Sequence, residues 1–448
     1  MSQYTQRGQA LPLALVLLVA VAATVFFMFN SGQLVQEKIR LTNTADAVAY
    51  SAGVYEARVL NYDAYTNRAI IANEIAIGQA VGLASWAKYA GTAADNISPY
   101  MYLIPYVGAA IANALEEVRD AMDLYTPLLA YTVPLHDAAI NSLAASQMAV
   151  HGPGNAVALV KRKAVMDEVA KKNDPDAKVD LLPLADNFYG FTQRYSSKEE
   201  RVRMGQVVSD GRDAFLKSRN WNFGLVILCT GVQLRKRGST ELIDLTEGWK
   251  SMDTLSAHAY SLKISWSGIK CKHSETPIGY GTAFSKDDLD DDDYSYAGSR
   301  STNPSASDKA DSDEGIANGF DPAPFSIGGG AIPAFHELSE SALKQDDPRT
   351  QITIRVTKPS GKQRYSGGNS IIKPNGSLDL YQGDHANGLS ASIARAEVYF
   401  ERPDGPSPLF SGKAEKGSLF NPYWQVRLVP VPAAERALAQ LKQGLALP

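Results

Sequence analysis

"RGQALPLALVLLVAVAATVFFMFN", Arg7 to Asn30, decides how the rest of this chain is read. From Leu11 to Phe29 it is apolar except for Pro12 and Thr24. At ~1.5 Å rise per residue, a helix of that length nearly spans the ~30 Å hydrocarbon layer of a bilayer. A helix satisfies its own backbone polar groups, so lipid can surround it. Pro12 falls in the first turn, where a missing N–H costs little. Leu11, Leu18, Phe26 and Phe29 are the residues expected to serve as the membrane anchor. The rival is a cleaved export signal, with Arg7 as its basic flank and Ala20-Val21-Ala22 as a small-x-small site. The apolar run continues past that site, and its true end, "FMFNSG", offers none, so an uncleaved anchor is expected. Arg7 lies on one side and Glu37, Lys38 and Arg40 on the other, so the positive-inside rule barely discriminates. A short amino-terminal tail and a long remainder favour the amino terminus inside and the bulk outside.

Downstream, no proline occurs between Pro12 and Pro99. Stepping from Leu34 alternately by four and three reaches Leu41, Ala45, Val48, Ala52, Tyr55 and Val59 and continues to Ala90. Apolar residues dominate that series, the signature of a helix with a sustained packing seam. Ile70, Ile71, Ile75 and Ile77 lie off it, so more than one face is apolar. Gly53, Gly78 and Gly82 mark either close approach or breaks. Leu11 to about Ala90 reads as one long helix or two nearly continuous ones. "GAAIANALEEVRDAMDLY", "HDAAINSLAASQMAV" and "AVALVKRKAVMDEVAKKN" extend the helical texture. Residues 31–175 therefore read as an elongated helical stalk or bundle, after the tail and transmembrane helix of residues 1–30.

From about Val179 the texture changes. "NWNFGLVILCTGVQL", "AYSLKISWSGIKCKH", "RTQITIRVTK", "ARAEVYFER" and "YWQVRLVPV" are β-rich runs bounded by turn residues. Polarity alternates in "QITIRVTK", which predicts a sheet with one wet face. Residues 176–432 read as a β-rich extracytoplasmic domain, and 433–448 as a short carboxy-terminal helix. Residues 285–315 carry many acids and few apolar residues, which predicts a disordered acidic loop. The fold class is α+β.

The net charge is only −4, and no Arg/Lys stripe interleaved with aromatics appears, so no nucleic-acid partner is expected. The acids cluster: Lys286 to Glu314 holds ten against three basic residues. That run could attract Ca²⁺ but lacks the glycine and terminal glutamate spacing of an EF-hand. The six histidines are scattered, and no HExxH, CxxC, GxSxG or phosphate-binding loop occurs, so no metal, cofactor, small-molecule substrate or catalytic residue is assigned. "GYG" at Gly279 to Gly281 and "GGG" at Gly328 to Gly330 read as turns. Cys229 and Cys271 fit a single disulfide if the chain is exported, and two buried thiols otherwise. Trp221, Trp249, Trp266 and Trp424 read as core residues before they read as a binding surface.

Two stretches, "RGQALPLALVLLVAVAATVFF" and "LTNTADAVAYSAGVYEARVLNYDAYTNRAIIANE", resemble the amino terminus of TadE/TadG-like proteins of the tight-adherence (Flp, type IVb) pilus system. In that family an Arg-Gly-Gln precedes the apolar helix, and an Asn-x-Ala-Asp-Ala-x-Ala run follows; here that run is Asn43 to Ala49. "ARAEVYFERP" and "SLFNPYWQVRL" are similar to carboxy-terminal segments of members. The resemblance covers residues 7–80 and 394–428. It implies a non-enzymatic, inner-membrane, single-pass component of pilus assembly, minor-pilin-like, with its bulk in the periplasm. The implied partners are other pilus-system proteins, the inner membrane and a second copy through the N-terminal helix. Substrates of prepilin peptidase carry Glu five residues after the cleavage-site glycine; counted from Gly8, that position is Leu13, which favours a TadG-like, uncleaved member. Some TadG proteins carry a von Willebrand factor A metal motif, which "DTLSAH" (Asp253 to His258) does not satisfy. An anchored or secreted adhesin, and then a hydrolase using the β-rich domain, are the alternative functions.

Overall fold

The computed structural model describes residues 10–246, 248–265, 268–286, 289–312, 332–363, 388–402 and 415–442. Helix α1 runs unbroken from Ala10–Met101, followed by α2 (Gly108–Ala130), α3 (Thr132–His151) and α4 (Ala156–Asn173). Strand β1 (Lys178–Asp186) opens the mixed half, with β2 (Thr192–Tyr195), α5 (Lys198–Asp210) and α6 (Ala214–Lys217) after it. Four long strands follow: β3 (Trp221–Ile227), β4 (Thr230–Ile243), β5 (Gly248–Ser265) and β6 (Gly268–Phe284). Then come α7 (Ser299–Thr302), α8 (Pro304–Asp311), β7 (Phe335–Leu338), α9 (Glu340–Leu343), β8 (Thr350–Pro359), β9 (Leu389–Phe400), β10 (Trp424–Val429) and α10 (Ala433–Lys442). The class is α+β.

Helices precede strands in the chain, but the compact units cut across that order. One unit takes Met1–Ala64, Ala149–Gln193 and Glu337–Pro448; the other takes Tyr65–Met148 and Arg194–His336. Each therefore mixes helix and sheet, and α1 contributes to both.

In the first unit an antiparallel sheet has the order β1-β8-β9-β10. Leu41, Ala45, Val48, Ala49 and Ala52 of α1 pack with Met166 and Ala170 of α4 and with Ile352, Ile354, Val356, Ala394 and Ala396 of the sheet. The alanines bring the helix backbone close to the strands, and Gly53 brings it closer still. A Cβ on Gly53 would sit 2.4 Å from Val426 Cγ2, so this glycine marks contact rather than a break. The expected wet face of β8 is dry. β8 is a central strand buried on both faces, and its polar residues are partnered. Thr353 Oγ1 donates to Glu435 Oε2 at 2.6 Å, Arg355 Nη2 to Asp180 at 2.6 Å, and Lys358 Nζ to Glu37 at 2.9 Å and Asp174 at 2.8 Å. Alternation marks the two faces of a strand; it does not say whether polar neighbours cover one of them.

In the second unit the antiparallel sheet order is β3-β4-β5-β6. Helix α5 starts at a full capping box, in which the Ser197 side chain accepts from Glu200 N–H and the Glu200 carboxylate accepts from Ser197 N–H. "GYG" lies inside β6, not in a turn. A Cβ on Gly281 would come within 2.5 Å of the α1 backbone at Ser85 and Tyr89, so the glycine is there for close helix–strand approach.

The expected disordered loop over 285–315 is corrected over residues 289–312. They form α7 and α8, and Ala306, Ala310 and Tyr296 bury against Met252 and Tyr280. Acid content misled because the buried acid is matched: Asp291 accepts from Lys250 (2.8 Å), Arg300 (2.7 Å) and the Tyr296 hydroxyl (2.6 Å). Two alanines four apart and one tyrosine suffice to seat so short a helix. Residues 287–288 and 313–315 lie outside the described residues, as does the "GGG" at 328–330.

Candidate membrane and packing helix

The predicted anchor residues lie in the first turns of α1. Leu11, Leu18 and Phe29 are exposed, Leu11 at 72%, and Phe26 is partly covered. An 18-residue window of this helix has mean hydropathy 2.7 with none of it buried. In water such a run would leave a continuous apolar surface wet, where the largest patch on a typical soluble monomer is ~300–600 Å². By length and composition it suffices to cross a membrane.

The predicted seam begins as expected and then turns. Leu41, Ala45, Val48, Ala52 and Val59 are buried, and Tyr55 is partly so. Tyr62, the next position in the series, is exposed. A strict 3.5-residue repeat drifts ~20° per heptad on a straight helix. The buried stripe absorbs the drift by stepping four residues again, from Ala52 to Glu56, and then runs through Asp63, Asn67, Ile70, Glu74 and Ile77. Ile70 and Ile77, off the predicted series, are on the true one.

Four of these buried residues are polar, and each secures a different neighbour. In the first unit Glu56 meets Arg162 of α4, which also binds Asp186. Burial pushes the Glu56 carboxyl up to about 7, against the pull of Arg162. Asp63 Oδ2 lies 2.6 Å from His151 Nε2, and His151 Nδ1 lies 2.8 Å from Asn155 Oδ1. Asn155 uses its own NH₂ toward Tyr189 and Thr192, so its oxygen accepts and His151 Nδ1 carries hydrogen. One proton is then held between Asp63 and His151. Burial raises the Asp63 pKa, and the Asp63 carboxyl raises that of His151 despite burial.

In the second unit Asn67 Nδ2 donates to the His336 carbonyl at 2.8 Å, and Gln147 Nε2 donates to Asn67 Oδ1 at 2.7 Å. Glu74 accepts from the Trp249 indole N–H at 3.3 Å. Trp249 is fully buried against Gly78, where a Cβ would stand 2.9 Å from its ring. Ser85 Oγ donates to Asp253, which Lys236 and Arg219 also bind. Burial works to raise the Asp253 pKa, but those two cations hold it below the usual carboxylate range. These groups are structural contacts, arranged to hold an element in place.

Cys229 and Cys271 are joined by a disulfide, with Cα atoms 5.6 Å apart. It ties the β3–β4 turn to β6 across β5. Trp249 and Trp424 are buried and Trp221 is exposed; Trp266 lies outside the described residues. A cleft of about 550 Å³ in the first unit is lined by Leu34, Lys38, Arg355, Ile393 and Arg436 among others, with no histidine or carboxylate among the described residues of its wall.

The arrangement defines a class: an α+β protein led by a helix that can cross a membrane and then continues into the folded units. Comparison adds a family likeness for the first part of the chain. Residues 8–57 match the Tad family, described as "Putative Flp pilus-assembly TadE/G-like". Over the apolar segment and the start of the seam, the chain is thus similar to TadE/G-like proteins of Flp pilus assembly. The match does not extend to 394–428. Neither a curated protein nor a solved structure matches the chain.

Proposed function

We propose that this chain is a structural, non-enzymatic component of Flp pilus biogenesis, TadG-like, held in the inner membrane by an uncleaved α1 with its bulk in the periplasm. The observation that carries this reading is the unburied apolar segment lying within the residues that match the family. The disulfide fits an oxidising compartment. Leu13, at the position where a processed pilin subunit would need a carboxylate, supports retention. Because α1 continues into both units, a neighbour that packs against the segment in the bilayer would address the folded part directly. Self-association through that segment, and contact with other pilus proteins, are part of the proposal.

Deletion of the gene tests it. The expected result is loss or strong reduction of surface pili, restored by the full chain but not by one lacking residues 1–30. Normal pilus number together with lost attachment would support the adhesin alternative, and wild-type behaviour in both would overturn the reading.

A further inference from the structure

The free end of the β3–β6 sheet has a surface left exposed by the described residues of the second unit. β3 is the edge strand, and its odd-numbered residues Trp221, Phe223, Leu225 and Ile227 share one face. Phe223 is 71% exposed and Leu225 69%, and Leu228 at the turn is 88% exposed. β3 has no charge, no proline and no register shift, the devices that normally blunt an exposed edge. The turn holds Leu228 at φ 46° and Cys229 at φ 61°, a left-handed pair that usually calls for Asn-Gly. A leucine placed there at that cost, and fastened by the Cys229–Cys271 bond, is held outward.

The same face becomes basic on the far strands. Register places Lys263 opposite Lys270, with Lys272 two residues on, and all three are exposed. Like charges directly opposed on one face destabilise a sheet by themselves. Among the described residues of this end, Glu275 is the one acid, and it is engaged by Ser256 and by the N–H groups of Ser305 and Ala306. The face thus joins an apolar ledge to an uncompensated cationic row.

We infer that this end of the sheet docks on a bilayer rich in anionic phospholipid, with Phe223, Leu225 and Leu228 entering the interface and Lys263, Lys270 and Lys272 against the headgroups. Charge selects this occupant. A second copy stacked on the face would oppose lysine to lysine, and one paired along β3 would leave the lysines unanswered. An anionic interface satisfies both parts, taking the apolar ledge into its boundary and the lysines against its headgroups. The inference stands apart from the pilus role, which can fail without it.

The test holds the full chain in nanodiscs of zwitterionic lipid and adds vesicles of phosphatidylcholine alone or with 30% phosphatidylglycerol. Hydrogen exchange of residues 221–232 and co-sedimentation are read. The expected result is slower exchange and pelleting with the anionic vesicles only. The triple variant K263Q/K270Q/K272Q should lower the partition at least tenfold, and so should F223S/L225S, with circular dichroism unchanged. Equal exchange with both vesicle types and without vesicles overturns the inference. So does protection that appears without vesicles and grows with protein concentration, which would identify a second copy as the occupant.

Discussion

Glu74→Gln should reverse part of the protein's pH dependence. Glu74 is buried on α1 and accepts a hydrogen bond from Trp249 Nε1 at 3.3 Å, while its other oxygen has no hydrogen-bond partner among the described residues. Burial lifts its pKa from 4.5 to about 8; the Trp249 hydrogen bond opposes the lift, and Asp137 adds to it. The folded state therefore keeps a proton that the unfolded chain releases above pH 4.5. Stability from this group is fully present below that pH and declines as pH rises toward 8. Each pH unit within that window is worth about 1.4 kcal/mol, so the loss at pH 7 is on the order of 3 kcal/mol. Glutamine keeps an acceptor for Trp249 and cannot ionise. Urea unfolding of the detergent-held chain, followed by tryptophan fluorescence from pH 5 to 8, should give two curves that diverge. The variant should match wild type at pH 5 and exceed it by roughly 2–4 kcal/mol at pH 8. Parallel curves, or a variant weaker at pH 8, would refute the account of a neutral buried carboxyl.

Two other perturbations follow from close contacts. Gly78→Ala drives a Cβ to 2.9 Å from the rigid Trp249 ring and should lower stability by about 1–3 kcal/mol, with a red-shifted Trp249 emission. Lys358→Met leaves buried Glu37 without its cation and Asp174 with only the more exposed Arg40 at 3.7 Å; a loss of about 3 kcal/mol is expected in the same unfolding assay. Lys358→Met combined with Glu37→Gln and Asp174→Asn should recover much of it.

The anchor and the helical first half were legible because both are local: a continuous apolar run and a periodic seam need no distant partner to be recognised. The series leaves the buried side at Tyr62, where a 3.5-residue repeat drifts on a helix of 3.6, while Thr66, Ala80 and Ala87 further along it are buried. The residues that secure α1, namely Glu56, Asp63, Asn67 and Glu74, were missed for a related reason. A search for apolar periodicity passes over buried carboxylates, yet Glu56, Asp63, Ile70 and Ile77 recur at intervals of seven. That spacing was the available signal. The partners Arg162, His151, Gln147 and Trp249 lie 80 to 175 residues away, and nothing local specifies such pairings. The acidic stretch failed likewise: Lys250 and Met252, which make its helices worth folding, are on another strand.

The central claim is that Leu11–Phe29 stays in the membrane as part of an uncut α1. The most direct measurement is mass spectrometry of the mature amino terminus after alkaline carbonate extraction of inner membranes. The account predicts a chain that resists extraction and begins at Met1 or Ser2. A chain beginning at Gln9 would show prepilin-like processing despite Leu13, and a soluble one beginning at Ala23 would show that the segment is a cleaved signal; either contradicts it.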